Sequence, residues 1–82
     1  MSLGVALFGA TGSIGESTLS VIKAHPQRFH LAVVSAHSSV DRLVSIIEDF
    51  DPKHVILTDA AYAEQLLGRL PPDFKGSVAF GE

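Results

Sequence analysis

The amino-acid sequence predicts an α/β fold in which helices flank a parallel sheet. Short apolar or β-branched runs alternate with helical patterns, which gives the order β-α-β-α-β-α-β. This order is typical of parallel strands joined by right-handed crossover helices. A glycine-rich segment also separates the first strand from the first helix.

The first three elements follow from local patterns. Residues 4–8 are apolar throughout, as expected for a strand that is covered on both faces. Ser13–Ala24 carries apolar residues at helical spacing, and Pro26 then ends the helix. Residues 30–36, which are apolar apart from His30 and Ser35, predict a second buried strand.

The later elements repeat the alternation. An apolar stripe at helical spacing predicts a second helix over Val40–Phe50. A third helix is expected to begin at Thr58 or Asp59, both good N-cap residues, and to run to about residue 67. The two remaining strands are predicted at His54–Leu57 and Ser77–Phe80.

Composition narrows the class of protein. Of the 82 residues, 46% are hydrophobic and 18% are charged, which excludes an intrinsically disordered segment. No apolar run approaches the roughly 20 residues of a membrane span, and the net charge of −3 argues against nucleic-acid binding. The absence of cysteine and of a visible signal peptide favours a cytoplasmic protein with no membrane partner.

The segment Gly9-Ala10-Thr11-Gly12-Ser13-Ile14-Gly15 carries the chemistry. Gly9 permits a tight exit from the strand, Gly12 lets the backbone approach a pyrophosphate, and Gly15 lets the helix pack closely on the sheet. Thr11 and Ser13 add hydroxyl donors beside the N–H groups of the first helical turn. This context predicts a Rossmann-like dinucleotide site. The alternative is architectural, with Ser13 and Glu16 forming a capping box.

The end of the second strand indicates which dinucleotide would bind. An NAD site usually places an acidic residue there to hold the ribose 2′-hydroxyl, and residues 30–39 contain none. His37, Ser38 and Ser39 can donate hydrogen bonds to a 2′-phosphate, so NADP is favoured. In the alternative, one serine is only a helix N-cap and His37 is a solvated loop residue. Arg42 is left open between phosphate binding and a surface role.

The segment from Gly9 to Ile22, followed by Pro26 and Phe29, resembles the start of 1-deoxy-D-xylulose 5-phosphate reductoisomerases. The similarity continues through Ala36-His37-Ser38-Ser39 to Pro52. The resemblance implies that Thr11, Gly12, Ser13 and Ile14 form a pyrophosphate-binding turn, and that Ala36, His37, Ser38 and Ser39 form a 2′-phosphate loop.

The resemblance also implies an activity. Such enzymes use NADPH and a divalent metal, Mg or Mn, to convert a sugar phosphate to 2-C-methyl-D-erythritol 4-phosphate in non-mevalonate isoprenoid biosynthesis, and the full-length enzyme is expected to be a homodimer. This chain would be the amino-terminal part of the NADPH-binding domain, without catalytic or metal-binding residues. The alternatives are another NADP-dependent reductase, such as a semialdehyde dehydrogenase, and a non-catalytic nucleotide-binding regulatory module.

Overall fold

The structure, a computed structural model, describes residues 2–9 and 12–81, with only the backbone of residues 13 and 14. Strands and helices alternate in the predicted order. They are β1 Leu3–Leu7, α1 Ser13–Ala24, β2 Phe29–Ala36, α2 Val40–Phe50, β3 His54–Leu57, the 3-10 turn Ala60–Tyr62, α3 Ala63–Leu67 and β4 Ser77–Phe80.

The four strands form one parallel sheet in the order β1-β2-β3-β4. Because this order never reverses, right-handed crossovers place α1, α2 and α3 on the same face of the sheet. The core agrees, since buried side chains of all three helices form a single cluster with those of β1, β2 and β3. The Rossmann-like α/β prediction is confirmed.

The helix α2 contributes more buried side chains to the core than any other described element, and its apolar stripe lies against the sheet. Leu43 is completely buried and Ile47 is almost so. Along β3 the side chains alternate, with Val55 and Leu57 buried and His54 exposed. Burial on one side only is what a sheet covered by helices on one face requires.

The expectation that the first strand is covered on both faces is wrong for the part of the chain that the structure describes. Val5 and Leu7 turn toward the core, whereas Gly4 and Ala6 are exposed, and the Phe8 side chain is 70% exposed. The physical reason is topological. All described helices pack on one face, and β1 pairs with a strand on one side only.

The third helix also differs from its prediction. Asp59, and not Thr58, caps the 3-10 turn that precedes it, because the Asp59 carboxylate accepts a hydrogen bond of 3.1 Å from the Ala61 amide, whereas the N-cap residue of α3 itself is Tyr62. The chain then makes a 3-10 turn before α3 begins at Ala63. Among the described residues, no helix has the length and apolarity needed to cross a bilayer.

The role of α2 leads to a test of stability. Leu43→Ala removes a fully buried side chain and is expected to lower the free energy of unfolding by about 2–5 kcal/mol. Val21→Ala on the exposed face of α1 is the control and should change it by less than about 0.5 kcal/mol. Urea denaturation followed by circular dichroism measures the free energy of unfolding of both variants. Equal losses in the two variants would contradict the assignment of Leu43 to the core.

Candidate functional site

The glycine turn leaves the carboxyl end of β1 and is tied to β2. Gly9 has a φ of +70°, a conformation that residues with a Cβ rarely adopt. Its N–H donates to the Ser35 hydroxyl at 3.3 Å, and its carbonyl accepts from the Gly12 N–H at 3.2 Å. The turn is therefore closed on itself and anchored to the neighbouring strand.

Ser35 was not predicted as part of the site. It is the one polar side chain that is buried among the described residues, at 7% exposure. The signal in the sequence is a single hydroxyl that follows the apolar run Leu31-Ala32-Val33-Val34 near the end of the strand. Its function is explained by its position, since it satisfies the Gly9 amide that the turn leaves unpaired in the ladder.

Gly12 is the N-cap residue of α1, and the fold does not require the absence of a Cβ at this position. A Cβ added at Gly12 would meet, among the described residues beyond its chain neighbours, only the Gly9 carbonyl at 3.7 Å, an ordinary contact. Its φ of −85° is open to any residue, and the helix start has no side-chain cap. A side chain at Gly12 therefore meets no obstruction from the described atoms beyond its chain neighbours.

The other residues of the glycine segment are described less completely. The capping box of the architectural alternative is not formed with Ser13 as N-cap, because Gly12 occupies that position, and the Glu16 carboxylate contacts the Arg42 guanidinium. Gly15 is buried, as close packing of the helix on the sheet requires. Thr11 and the side chains of Ser13 and Ile14 lie outside the described residues.

The second predicted loop follows β2 and is fixed by the end of β3. Ala36 is buried opposite Leu57, and its carbonyl accepts the Thr58 N–H at 2.9 Å. His37 is exposed, but its Nδ1 lies 2.8 Å from the Thr58 hydroxyl, and its carbonyl accepts the Asp59 N–H at 3.0 Å. The imidazole is therefore held through Nδ1, which leaves Nε2 as the ring nitrogen that can reach a ligand.

Ser38 and Ser39 lead into α2. Ser39 is the N-cap residue by position, yet its hydroxyl makes no capping hydrogen bond. Both serines line an open pocket of about 330 Å³ together with Arg42 and Tyr62. The alternative in which a serine hydroxyl serves only as a cap therefore finds no support in these contacts.

The two predicted loops lie side by side, because parallel pairing brings the carboxyl ends of β1 and β2 to one edge of the sheet. The other histidines contribute nothing there. His30 and His54 contact Ser2 and Ser77 through Nδ1. Among residues 2–9 and 12–81, no group of three or more His, Asp or Glu side chains could hold a metal ion.

The fold and this edge define the chain as a Rossmann-like α/β unit. A sequence profile of 1-deoxy-D-xylulose 5-phosphate reductoisomerases matches residues 5–82, so the chain belongs to that family. It is 38% identical over 78 residues to the reductoisomerase of Shewanella woodyi, covering 95% of this chain and 20% of the relative. It is 40% identical over 82 residues to that of Leptospira borgpetersenii, covering 100% of this chain and 21% of the relative. The chain thus spans about a fifth of the length of the curated relatives it matches.

Solved structures show the same likeness. The Zymomonas mobilis reductoisomerase in complex with NADPH superposes with a TM-score of 0.90 at 27% identity, covering 99% of this chain and 21% of that one. A reductoisomerase in complex with magnesium gives a TM-score of 0.86 at 30% identity, covering 99% of this chain and 20% of that one.

The two glycines of the turn make different demands, which serine substitutions separate. Gly9→Ser forces a Cβ into a positive φ and should lower the free energy of unfolding by about 1–2 kcal/mol. Gly12→Ser supplies a better N-cap and should leave stability unchanged or raise it by about 0.3 kcal/mol. Urea denaturation measures the free energy of unfolding of both variants. A Gly12→Ser protein as unstable as Gly9→Ser would show that the fold itself needs both glycines.

Proposed function

We propose that residues 1–82 are the amino-terminal part of the NADP(H)-binding domain of a 1-deoxy-D-xylulose 5-phosphate reductoisomerase. The full-length enzyme would convert 1-deoxy-D-xylulose 5-phosphate to 2-C-methyl-D-erythritol 4-phosphate in the cytoplasm, as a homodimer. The observation that carries the proposal is Gly12, where the described fold tolerates a Cβ but a closely approaching pyrophosphate would not. The family membership and the likeness to an NADPH complex support it.

The site fits the cofactor in two parts. The backbone of the turn, comprising Gly9, Thr11, Gly12, Ser13, Ile14 and Gly15, would hold the pyrophosphate at the N-terminus of α1. An uncapped helix start suits this role, because its N–H groups and dipole attract an anion. Gly9 supports the position of the turn through its bond to Ser35.

The loop after β2, comprising Ala36, His37, Ser38 and Ser39, would hold the adenosine ribose and its 2′-phosphate. Thr58 fixes the His37 ring, and the Ser39 hydroxyl is not used for capping. None of these residues carries the carboxylate that would repel a 2′-phosphate.

The chemical contribution of this chain is binding and orientation. NADPH supplies a hydride when it is bound, and the protein places the reacting ring against the substrate. We assign the groups that hold the divalent metal and the sugar phosphate to the remainder of the enzyme, because this chain spans about a fifth of its relatives.

Gly12→Ser tests the pyrophosphate subsite in the full-length protein. The added Cβ and hydroxyl should block close approach of the backbone and weaken NADPH binding at least about tenfold, or ~1.4 kcal/mol. Isothermal titration calorimetry measures the affinity, and urea denaturation of the same variant controls for folding. An unchanged affinity in a folded variant would contradict the assignment of the turn.

Ser39→Asp tests the 2′-phosphate subsite. Aspartate is an equally good N-cap, so the helix should persist, but its charge should lower the affinity for NADPH about tenfold and leave that for NADH nearly unchanged. Gln27→Asp adds the same charge in the exposed turn before β2, at the opposite edge of the sheet, and serves as the control. A wild-type protein that binds NADPH and NADH equally would refute the 2′-phosphate assignment.

A further inference from the structure

We propose that Arg42 is a specificity-determining residue that binds the 2′-phosphate of NADPH, and that Glu16 holds its guanidinium in the unliganded protein. This inference rests on the function proposed above, and it adds a charged group to a subsite that otherwise consists of hydroxyls, an imidazole and backbone.

The ion pair between Arg42 and Glu16 connects the two halves of the site. Glu16 lies in the first turn of α1, immediately after the glycine turn, and Arg42 lies in the first turn of α2, three residues after Ser39. The guanidinium therefore bridges the helix that would hold the pyrophosphate and the helix that follows the 2′-phosphate loop.

Helix stability does not account for Arg42. A cation in the first turn opposes the helix dipole, whereas Glu16 in the first turn of α1 is favoured by it. Both side chains are half-exposed, and an exposed ion pair adds little to the stability of a fold. The position of this arginine therefore suggests a ligand.

The distribution of charge singles out Arg42. Four of the six cationic residues lie toward the amino edge of the sheet, at the end of α1 or just before a strand: Lys23, Arg28, Lys53 and Lys75. Arg69 contacts Asp41. Arg42 lines the pocket that contains Ser38 and Ser39. Asp41 lines it too, but its carboxylate is neutralised by Arg69, so Arg42 is the described cation best placed for an anion at this loop.

The chemistry of a 2′-phosphate suits this arrangement. A guanidinium donates two parallel hydrogen bonds to phosphate oxygens, and Rossmann sites for NADP commonly use an arginine near the end of the second strand. In the unliganded protein Glu16 neutralises Arg42. A phosphate carries more charge than the carboxylate, so binding should draw the guanidinium away from Glu16 toward Ser38 and Ser39.

Calorimetric titration of the full-length protein with NADPH and with NADH tests this assignment. Arg42→Ala should weaken NADPH binding about 10- to 100-fold and NADH binding less than about twofold, because only NADPH carries the 2′-phosphate. Glu16→Gln, which releases the guanidinium, should strengthen NADPH binding about two- to fivefold. Arg28→Ala removes an arginine just before β2, at the opposite edge of the sheet, and it should change neither affinity.

The outcomes are separable. Equal weakening of NADPH and NADH by Arg42→Ala would overturn the proposal, since Arg42 would then act by neutralising Glu16 beside the pyrophosphate. Unchanged NADPH binding by Arg42→Ala would overturn it while leaving the proposed function intact. A wild-type protein that binds neither dinucleotide would overturn the proposed function and this inference together.

Discussion

Parallel pairing of β1 with β2 is the constraint on which the rest of the site depends. The register places Leu7 opposite Val34, so the chain leaves both strands at the same edge of the sheet. The bond from the Gly9 amide to the Ser35 hydroxyl then carries the pairing one step beyond the last ladder residues. Two loops that are distant in sequence are thereby held together by backbone geometry and by one buried hydroxyl, which bonds to an amide 26 residues away.

The same constraint organises the charges. Two helices that begin at one edge of a sheet and lie on one face present their first turns to each other, and this is where Glu16 and Arg42 meet. On the β3 side, the amides of Thr58 and Asp59 bond to the carbonyls of Ala36 and His37, which extends the ladder past the ends of the strands. The loops at this edge are thus a continuation of the sheet, with side chains placed by strand register.

Much of this architecture could be predicted from the sequence, because it is encoded locally. The bounds of α1 and α2 follow from apolar periodicity, and β3 and β4 follow from short apolar runs between turns. The position of β4 beside β3, and not beside β1, could not be predicted, because handedness fixes the direction of a crossover but not which strand becomes the neighbour. The exposure of Phe8 follows from that position, so it could not be predicted either.

Within the site, the glycines could be recognised by their spacing, whereas the contacts of His37 with Thr58 and of Glu16 with Arg42 could not. Each contact joins side chains that are distant along the chain, and no local sequence pattern indicates such a pair. The capping box failed for a related reason. Its residues have the right spacing, but Gly12 takes the N-cap position and the Glu16 carboxylate contacts the Arg42 guanidinium.

The one-sided placement of the helices has a geometric consequence for the bare face of β1. A parallel strand cannot be added through a hairpin and must arrive through a crossover. If a strand from later in a polypeptide were added on the free side of β1, the direction of winding would reverse, and a right-handed connection would carry its helix across the opposite face. Gly4, Ala6 and Phe8 line that face of β1. These small or apolar residues, which the described helices leave exposed to solvent, provide a surface against which a second layer of helices can pack.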